Sequence, residues 1–242
     1  MYADALRKNM VEIGQEMYRR DFISGAAGNL SARLPDGNLL ITPSGLNKGK
    51  LTPDALLIID LNGNCVRGDA TCRPSSEVPM HLEVYRQRPD VGAVIHAHPI
   101  TCVALSLVGI SMQDPYIPEA LVMLGPVPTT PYATPSSTEN RDAIAGLIAT
   151  HDALILAHHG SLTVGRTLEE AYARLEVLEH TAKTVALAFQ MGTPRQLTPQ
   201  AVEKLLSMRQ TMGFAHGEEN PLKLQIAAEV ERLTLDLAPV RW

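Results

Sequence analysis

Two histidines one residue apart, His96 and His98, close the apolar run Val91-Gly92-Ala93-Val94-Ile95. Such a run reads as a buried strand. Alternate side chains of a strand share a face, so the two imidazoles point the same way with Cα atoms about 7 Å apart. From that spacing both rings can converge on one metal ion, and histidine is the commonest metal ligand. Pro99 has no backbone N–H to give to a ladder, so the strand ends there. Strand ends are where open α/β sheets place their chemistry. A second pair, His158-His159, precedes Gly160 at the end of another apolar run, residues 153–157. Adjacent residues of a strand face opposite ways, so one of this pair is the third candidate ligand and the other either supports the ligands from behind or is merely structural. Three imidazoles with one open position describe a catalytic rather than a structural zinc site. Mn²⁺ or Co²⁺ also suits three histidines. The other four histidines, His81, His151, His180 and His216, read as ordinary core or surface residues.

Proton transfer calls for a carboxylate. Glu77 stands at the start of a helix opened by Ser75-Ser76, with Ser76 as the expected N-cap. A glutamate is favourable in any first helical turn, but two serines at a helix N-terminus also make an anion pocket. Thr42-Pro43-Ser44-Gly45 and Gly25-Ala26-Ala27-Gly28-Asn29 are two further loops able to present backbone N–H groups. Three such loops beside a histidine metal site point to a small phosphorylated substrate.

The elements that must position these groups follow from periodicity and turn signals. Residues 3–20 place Leu6, Met10, Ile13 and Met17 on one helical stripe. Strands are expected at 29–33 and 38–42, joined at Pro35-Asp36-Gly37, and at 56–60, followed by the hairpin signal Asn62-Gly63. A helix runs from Ser76 to about Arg88, with Pro79 tolerated in its first turn. The histidine strand, a helix at 101–108, a helix at 138–150 and the strand at 153–157 come next. A long helix over 168–191 buries Leu175, Leu178, Ala182 and Val185, and Gly192-Thr193-Pro194 stops it. The tail carries helical segments at 198–211 and 221–236. Strands alternating with helices predict a layered α/β domain over residues 1–192, and residues 193–242 read as a helical tail packed on that domain or on a neighbouring subunit.

Composition narrows the function classes. The chain has 242 residues, 45% hydrophobic and 19% charged, with a net charge of −5, which fits a soluble globular protein. It has no basic block to support nucleic-acid binding. Three cysteines, Cys65, Cys72 and Cys102, form no Cys-x-x-Cys pair, so free thiols in a reducing compartment are expected. The N-terminus lacks the features of a secretory signal. The most apolar window, 91–110, contains two histidines and a proline, which argues against a membrane span. A cytoplasmic protein is expected.

Six segments together resemble the class II aldolase/adducin family: Gly28-Asn29-Leu30-Ser31, Ile41-Thr42-Pro43-Ser44-Gly45, Pro74-Ser75-Ser76-Glu77, His96-Ala97-His98, Pro131-Tyr132-Ala133-Thr134 and His158-His159-Gly160. They keep the family's order and spacing over about residues 5–190. The resemblance implies an α/β/α layered fold around a central mixed, largely antiparallel sheet. It implies a zinc site of His96, His98 and His159, with Glu77 as a ligand of the resting metal or as acid/base. It implies a phosphate pocket from Asn29, Ser44, Gly45, Ser75 and Ser76, and a homotetramer with active sites between subunits. The implied reaction is reversible cleavage of a ketose 1-phosphate, fuculose-phosphate-like or 5-deoxypentulose-phosphate-like, to dihydroxyacetone phosphate and an aldehyde. Other family members are decarboxylases, dehydratases or epimerases of phosphorylated sugars and sugar acids, and adducin-like domains are non-enzymatic. The aldolase that typifies the family protonates the leaving aldehyde with a tyrosine. Here Ile117 falls at that place with Tyr116 beside it, so Tyr116 is the candidate. The family's tail tyrosine has no match near Gln210–Phe214.

Overall fold

The computed structural model describes residues 2–68 and 73–215. Its centre is a seven-stranded sheet in the order β4-β3-β2-β1-β5-β7-β6. The strands are β1 (Asn29–Arg33), β2 (Leu39–Ile41), β3 (Leu57–Ile59), β4 (Cys65–Arg67), β5 (Ala93–Ala97), β6 (Ala153–Leu156) and β7 (Gly160–Gly165). Every ladder between them is antiparallel. One isolated parallel bridge, Thr129 to Ile155, supplies the mixed character.

Both faces are covered, because alternate residues of each strand are apolar on opposite sides. On one face Leu30, Ala32, Ala93, Ile95 and Ala97 meet α1 (Tyr2–Arg19) and α6 (Leu168–Met191). On the same side, Ala153 and Ile155 meet α3 (Ile100–Leu107) and α6. On the other, Ile41, Leu57, Val94, Leu154, Leu162 and Val164 meet α2 (Val78–Gln87) and α5 (Thr138–Ala145). The fold is therefore the layered α/β/α arrangement.

Two more helices complete it, α4 (Pro118–Met123) and α7 (Pro199–Thr211). Val202 and Leu206 of α7 pack on Leu121 of α4. The start of the tail thus lies against its own chain, while the helical segment expected at 221–236 lies outside the described residues.

The structure corrects several expectations. Strand β7, between β5 and β6, was not among the expected strands; glycines stand at both its ends. Those glycines admit close backbone approach: a Cβ on Gly165 would lie 2.6 Å from the backbone nitrogen of Ala171. Edge strand β4, exposed throughout, and the six-residue α4 also carry too little periodicity to be read. Helix α5 ends at Ala145 rather than 150, giving way to turns. Ser76 is not the N-cap of α2. That position falls to Glu77, because the Ser76 hydroxyl is taken by Ser136 Oγ at 2.8 Å and it is Ser75 Oγ that accepts from Glu77 N–H. None of the helices among the described residues is long and apolar enough to cross a membrane.

Candidate active site

β5 delivers the first two histidines. His96 pairs across the sheet with Asn29 of β1 on one side and Leu162 of β7 on the other. His98 lies just past the strand end, anchored by its N–H to Phe22 O at 2.8 Å. His159 arrives from the turn between β6 and β7. That turn closes because His158 adopts a left-handed conformation, φ 59°. This puts His158 outside, edge-on to Tyr132, and His159 inside. Gly160 is required here for space. A Cβ there would overlap the Ala97 carbonyl and press at 3.0–3.1 Å on the rings of His98 and His96.

The three rings form a triangle, with centroids 4.7–4.9 Å apart. One ring nitrogen from each lies within 4.8 Å of the others. Glu77 stands over them, Oε2 at 3.0 Å from His96 Nε2 and Oε1 at 3.5 Å from His159 Nε2.

The donor set fits a metal. His96 Nδ1–H donates to Ser161 O at 2.9 Å, which turns Nε2 inward. That nitrogen faces the Glu77 carboxylate and, at 2.9 Å, His98 Nε2. Two ring nitrogens and a carboxylate meeting in this way are satisfied by a shared cation, a proton or a metal ion. His159 Nδ1 is buried with no hydrogen-bond partner among the described residues. Burial draws the pKa of His98 down to about 3 and that of His159 to about 4, so both are neutral, ligand-competent imidazoles at pH 7.

Glu77 is itself buried, which opposes its charge. The attraction of His96 and hydrogen bonds from His96 and Asn29, with a smaller part from His159, outweigh burial and hold the carboxyl well below its ordinary range. Behind it runs a chain of polar side chains. Asn29 Nδ2 donates to Glu77 Oε2 at 2.9 Å, and Asn140 Nδ2 lies 3.3 Å from Oε1. Asn29 Oδ1 meets His81 Nε2 at 2.5 Å, His81 Nδ1 meets Ser31 Oγ at 2.6 Å, and Ser31 Oγ meets Tyr85 Oη at 2.9 Å. The carboxylate accepts only donors, so Asn29 turns its NH₂ to Glu77 and its oxygen to His81. Burial holds His81 neutral, its pKa lowered to about 3. It therefore donates from Nε2 and accepts at Nδ1 from Ser31, which in turn accepts from Tyr85. Glu77, His81 and Tyr85 form one stripe of α2 at four-residue spacing. His81, read from sequence as an ordinary residue, is core by burial but wired to the carboxylate. Its distance of four from Glu77 was the available signal.

A cavity of about 200 Å³ opens beside Glu77. Asn29, Ser44, Gly45, Ser75 and Ser76 all line it, together with His98 and His159. The three loops expected to favour an anion thus meet in one place. Gly28 makes this possible: at φ 72° it passes so close to β5 that a Cβ would lie 3.0 Å from His96 O. Lys48 also lines the cavity and was not foreseen.

Tyr116 is not brought to this site within the single chain. Its hydroxyl donates to Asp114 Oδ2 at 3.2 Å, and its ring meets Phe189 edge-on at 6.3 Å. It lines a separate narrow cleft with Leu121 and Val185.

Residues 8–186 match the Class II Aldolase and Adducin N-terminal domain. The chain belongs to the class II aldolase/adducin family. It is 39% identical over 185 residues to the 3-oxo-tetronate 4-phosphate decarboxylase of Escherichia coli strain K12, covering 75% of this chain and 86% of that protein. It is 36% identical over 174 residues to the L-fuculose phosphate aldolase of Methanococcus maripaludis, covering 72% and 92%. The crystal structure of YgbL from Escherichia coli superposes with a TM-score of 0.78 at 37% identity, covering 85% of this chain and 99% of that one. Enzymes of sugar phosphates are thus the relatives of this chain, and the more similar of the two curated relatives is a decarboxylase.

Proposed function

We propose that this protein is a divalent-metal-dependent decarboxylase of a 3-oxo sugar acid phosphate, releasing CO₂ and dihydroxyacetone phosphate. The metal, zinc in our reading, would be held by His96, His98 and His159, with Glu77 as a ligand in the resting state. When bound, it supplies Lewis-acid stabilisation of the negative charge that develops on the substrate's carbonyl and neighbouring hydroxyl oxygens.

The chain's own residues do the rest. Ser44, Gly45, Ser75, Ser76 and Asn29 hold the phosphate, and that remote binding fixes the reacting carbon. The bond from C2 to the carboxylate breaks, its electron pair enters the C2–C3 unit as an enediolate, and CO₂ leaves. Glu77, having taken a proton, delivers it to C2 as general acid. Asn29 and Asn140 hold the carboxyl group in line for that delivery.

The observation that supports decarboxylation is the greater similarity to a 3-oxo-tetronate 4-phosphate decarboxylase, 39% identity against 36% to an L-fuculose phosphate aldolase. An aldol cleavage must manage the proton on the oxygen of the departing aldehyde. CO₂ departs neutral and needs no such partner. Within this chain Glu77 sits at the histidines while Tyr116 is engaged with Asp114 in another cleft. The second reading is the aldolase expected from sequence. It passes through the same enediolate and draws on the similarity to L-fuculose phosphate aldolase. A homotetramer with active sites between subunits remains part of the proposal, as does a cytoplasmic location.

The test is a 3-oxo-tetronate 4-phosphate labelled with ¹³C at the carboxylate, incubated with zinc-loaded protein and followed by NMR. Metal-dependent appearance of labelled CO₂ and dihydroxyacetone phosphate is expected. No CO₂ release, with condensation of dihydroxyacetone phosphate and an aldehyde instead, would overturn decarboxylation in favour of the aldolase.

A further inference from the structure

Among the described residues Lys48 is the second largest of the fully buried side chains, at 2% exposure. It lies in a 3₁₀ turn, Lys48–Lys50, three residues after Gly45, with its stem against Gly14 of α1. Its ammonium donates to Ala26 O at 2.7 Å and Leu46 O at 3.0 Å. These two carbonyls belong to two of the loops that line the cavity. No carboxylate among the described residues lies within ion-pairing distance of it. An ammonium has three donors, and only two are taken by protein. Buried charges are ordinarily paired, because an unpaired one is costly. Burial lowers the Lys48 pKa to about 8, with Glu77's charge acting the other way, so it is protonated at neutral pH.

The cavity explains the missing partner. Among the described residues Lys48 is the only lysine or arginine in its lining. The other lining groups offer hydroxyls and backbone N–H groups but no positive charge, and Glu77 adds a negative one. Neutral donors alone would leave a phosphate dianion facing that carboxylate. We infer that Lys48 supplies the counter-charge for the substrate's phosphate, and that its ammonium is buried unpaired in the free protein because the ligand completes the pair. The inference rests on the phosphate pocket proposed above. It makes Lys48 a specificity-determining residue, selecting a phosphorylated substrate over its dephosphorylated form while tying the two loops into one cradle.

Two variants separate charge from scaffold. Lys48→Gln keeps a donor for the loop carbonyls and removes the charge. Lys48→Met removes both. The probe is inorganic phosphate, titrated by calorimetry into full-length zinc-loaded protein in a non-phosphate buffer, with acetate as the carboxylate control. Thermal melts are run with and without phosphate. Phosphate is expected to bind the parent protein, raise its melting temperature, and bind Lys48→Gln at least tenfold more weakly. Without phosphate, Lys48→Gln should melt no lower than the parent. Equal phosphate affinity in parent and Lys48→Gln would overturn the inference and leave Lys48 a strap. Loss of acetate binding with phosphate binding intact would overturn it too, assigning the amine to the substrate's carboxylate. A parent protein that takes no phosphate would remove the phosphate pocket itself. Should Lys48→Met fail to fold, Lys48→Gln decides alone.

Discussion

Two buried carboxylates in this protein are treated in opposite ways. Asp152, just before β6, is gripped by three guanidinium groups: Arg88 at 2.9 Å, Arg174 at 3.2 Å and Arg209 at 2.8 Å. They come from the end of α2, from α6 and from α7, so one side chain pins three helices to the sheet. Glu77 has no arginine or lysine within ion-pairing distance among the described residues. It is held by amides and imidazoles, each a weaker and more replaceable partner. The first arrangement fixes a charge permanently. The second lets a carboxylate exchange partners, which a ligand or proton carrier must do.

The contrast is broken most directly by Glu77→Gln. Turnover should fall by about 10²–10⁴-fold, the range for a general acid/base, while the melting temperature holds or rises. Steady-state kinetics beside calorimetry check it, and a variant with full rate would end the proton assignment.

Asp152→Ala should do the reverse. Removing the shared partner of three buried guanidinium groups should cost about 3–5 kcal/mol, read from urea unfolding. In the protein that remains folded, metal stoichiometry should be unchanged. Lost metal with unchanged stability would mean the two sites are not separable.

His81→Phe sharpens the Glu77 side. It leaves Asn29 free to turn its oxygen toward the carboxylate. Turnover should drop by about 10–100-fold, as for groups that orient a metal site's ligands, at a stability cost of about 1–3 kcal/mol for the unpaired polar atoms. His81→Gln, which can still donate to Asn29, should recover part of the rate.

The last test is pH dependence of the metal-free protein. His81, His98 and His159 have pKa values lowered to about 3, 3 and 4, against an unfolded value near 6.5. Between those limits the unfolded chain binds more protons, so stability falls as pH drops below about 6.5. Glu77, also lowered, adds a loss of the same sign as pH falls through the range below its ordinary value. Urea midpoints in chelator should therefore decline steadily from pH 7 to pH 5. A flat profile would mean the histidines are not held neutral.

The site was more legible in sequence than its setting. His96 and His98 announce themselves because strand periodicity is local, and the serine and glycine loops because turn chemistry is local. The meeting of three loops at one cavity, the pairing of Asn29 opposite His96 and the burial of Lys48 depend on sheet order, which no short window encodes. β7 was hidden for a related reason. Its glycines are demanded by neighbours distant in sequence, not by its own propensity. The reach of Arg209 back to Asp152 spans 57 residues and is equally invisible to pattern. The leaving group is not written in any short motif: Tyr116 beside Ile117 points to an aldehyde, while similarity along the whole domain to a decarboxylase points to CO₂.

The polar chain from Tyr85 to Glu77 behaves like a one-way line. Every hydrogen on it points toward the carboxylate, and the amide of Asn29, with unlike ends, forbids reversal. Polarisation passes along such a line cooperatively. Loss of charge at Glu77 by protonation therefore relaxes the pull on each donor in turn as far as the Tyr85 hydroxyl. A carbon label on the Tyr85 ring would accordingly act as a voltmeter for the active carboxylate, read from two turns farther along the helix with nothing placed in the cavity.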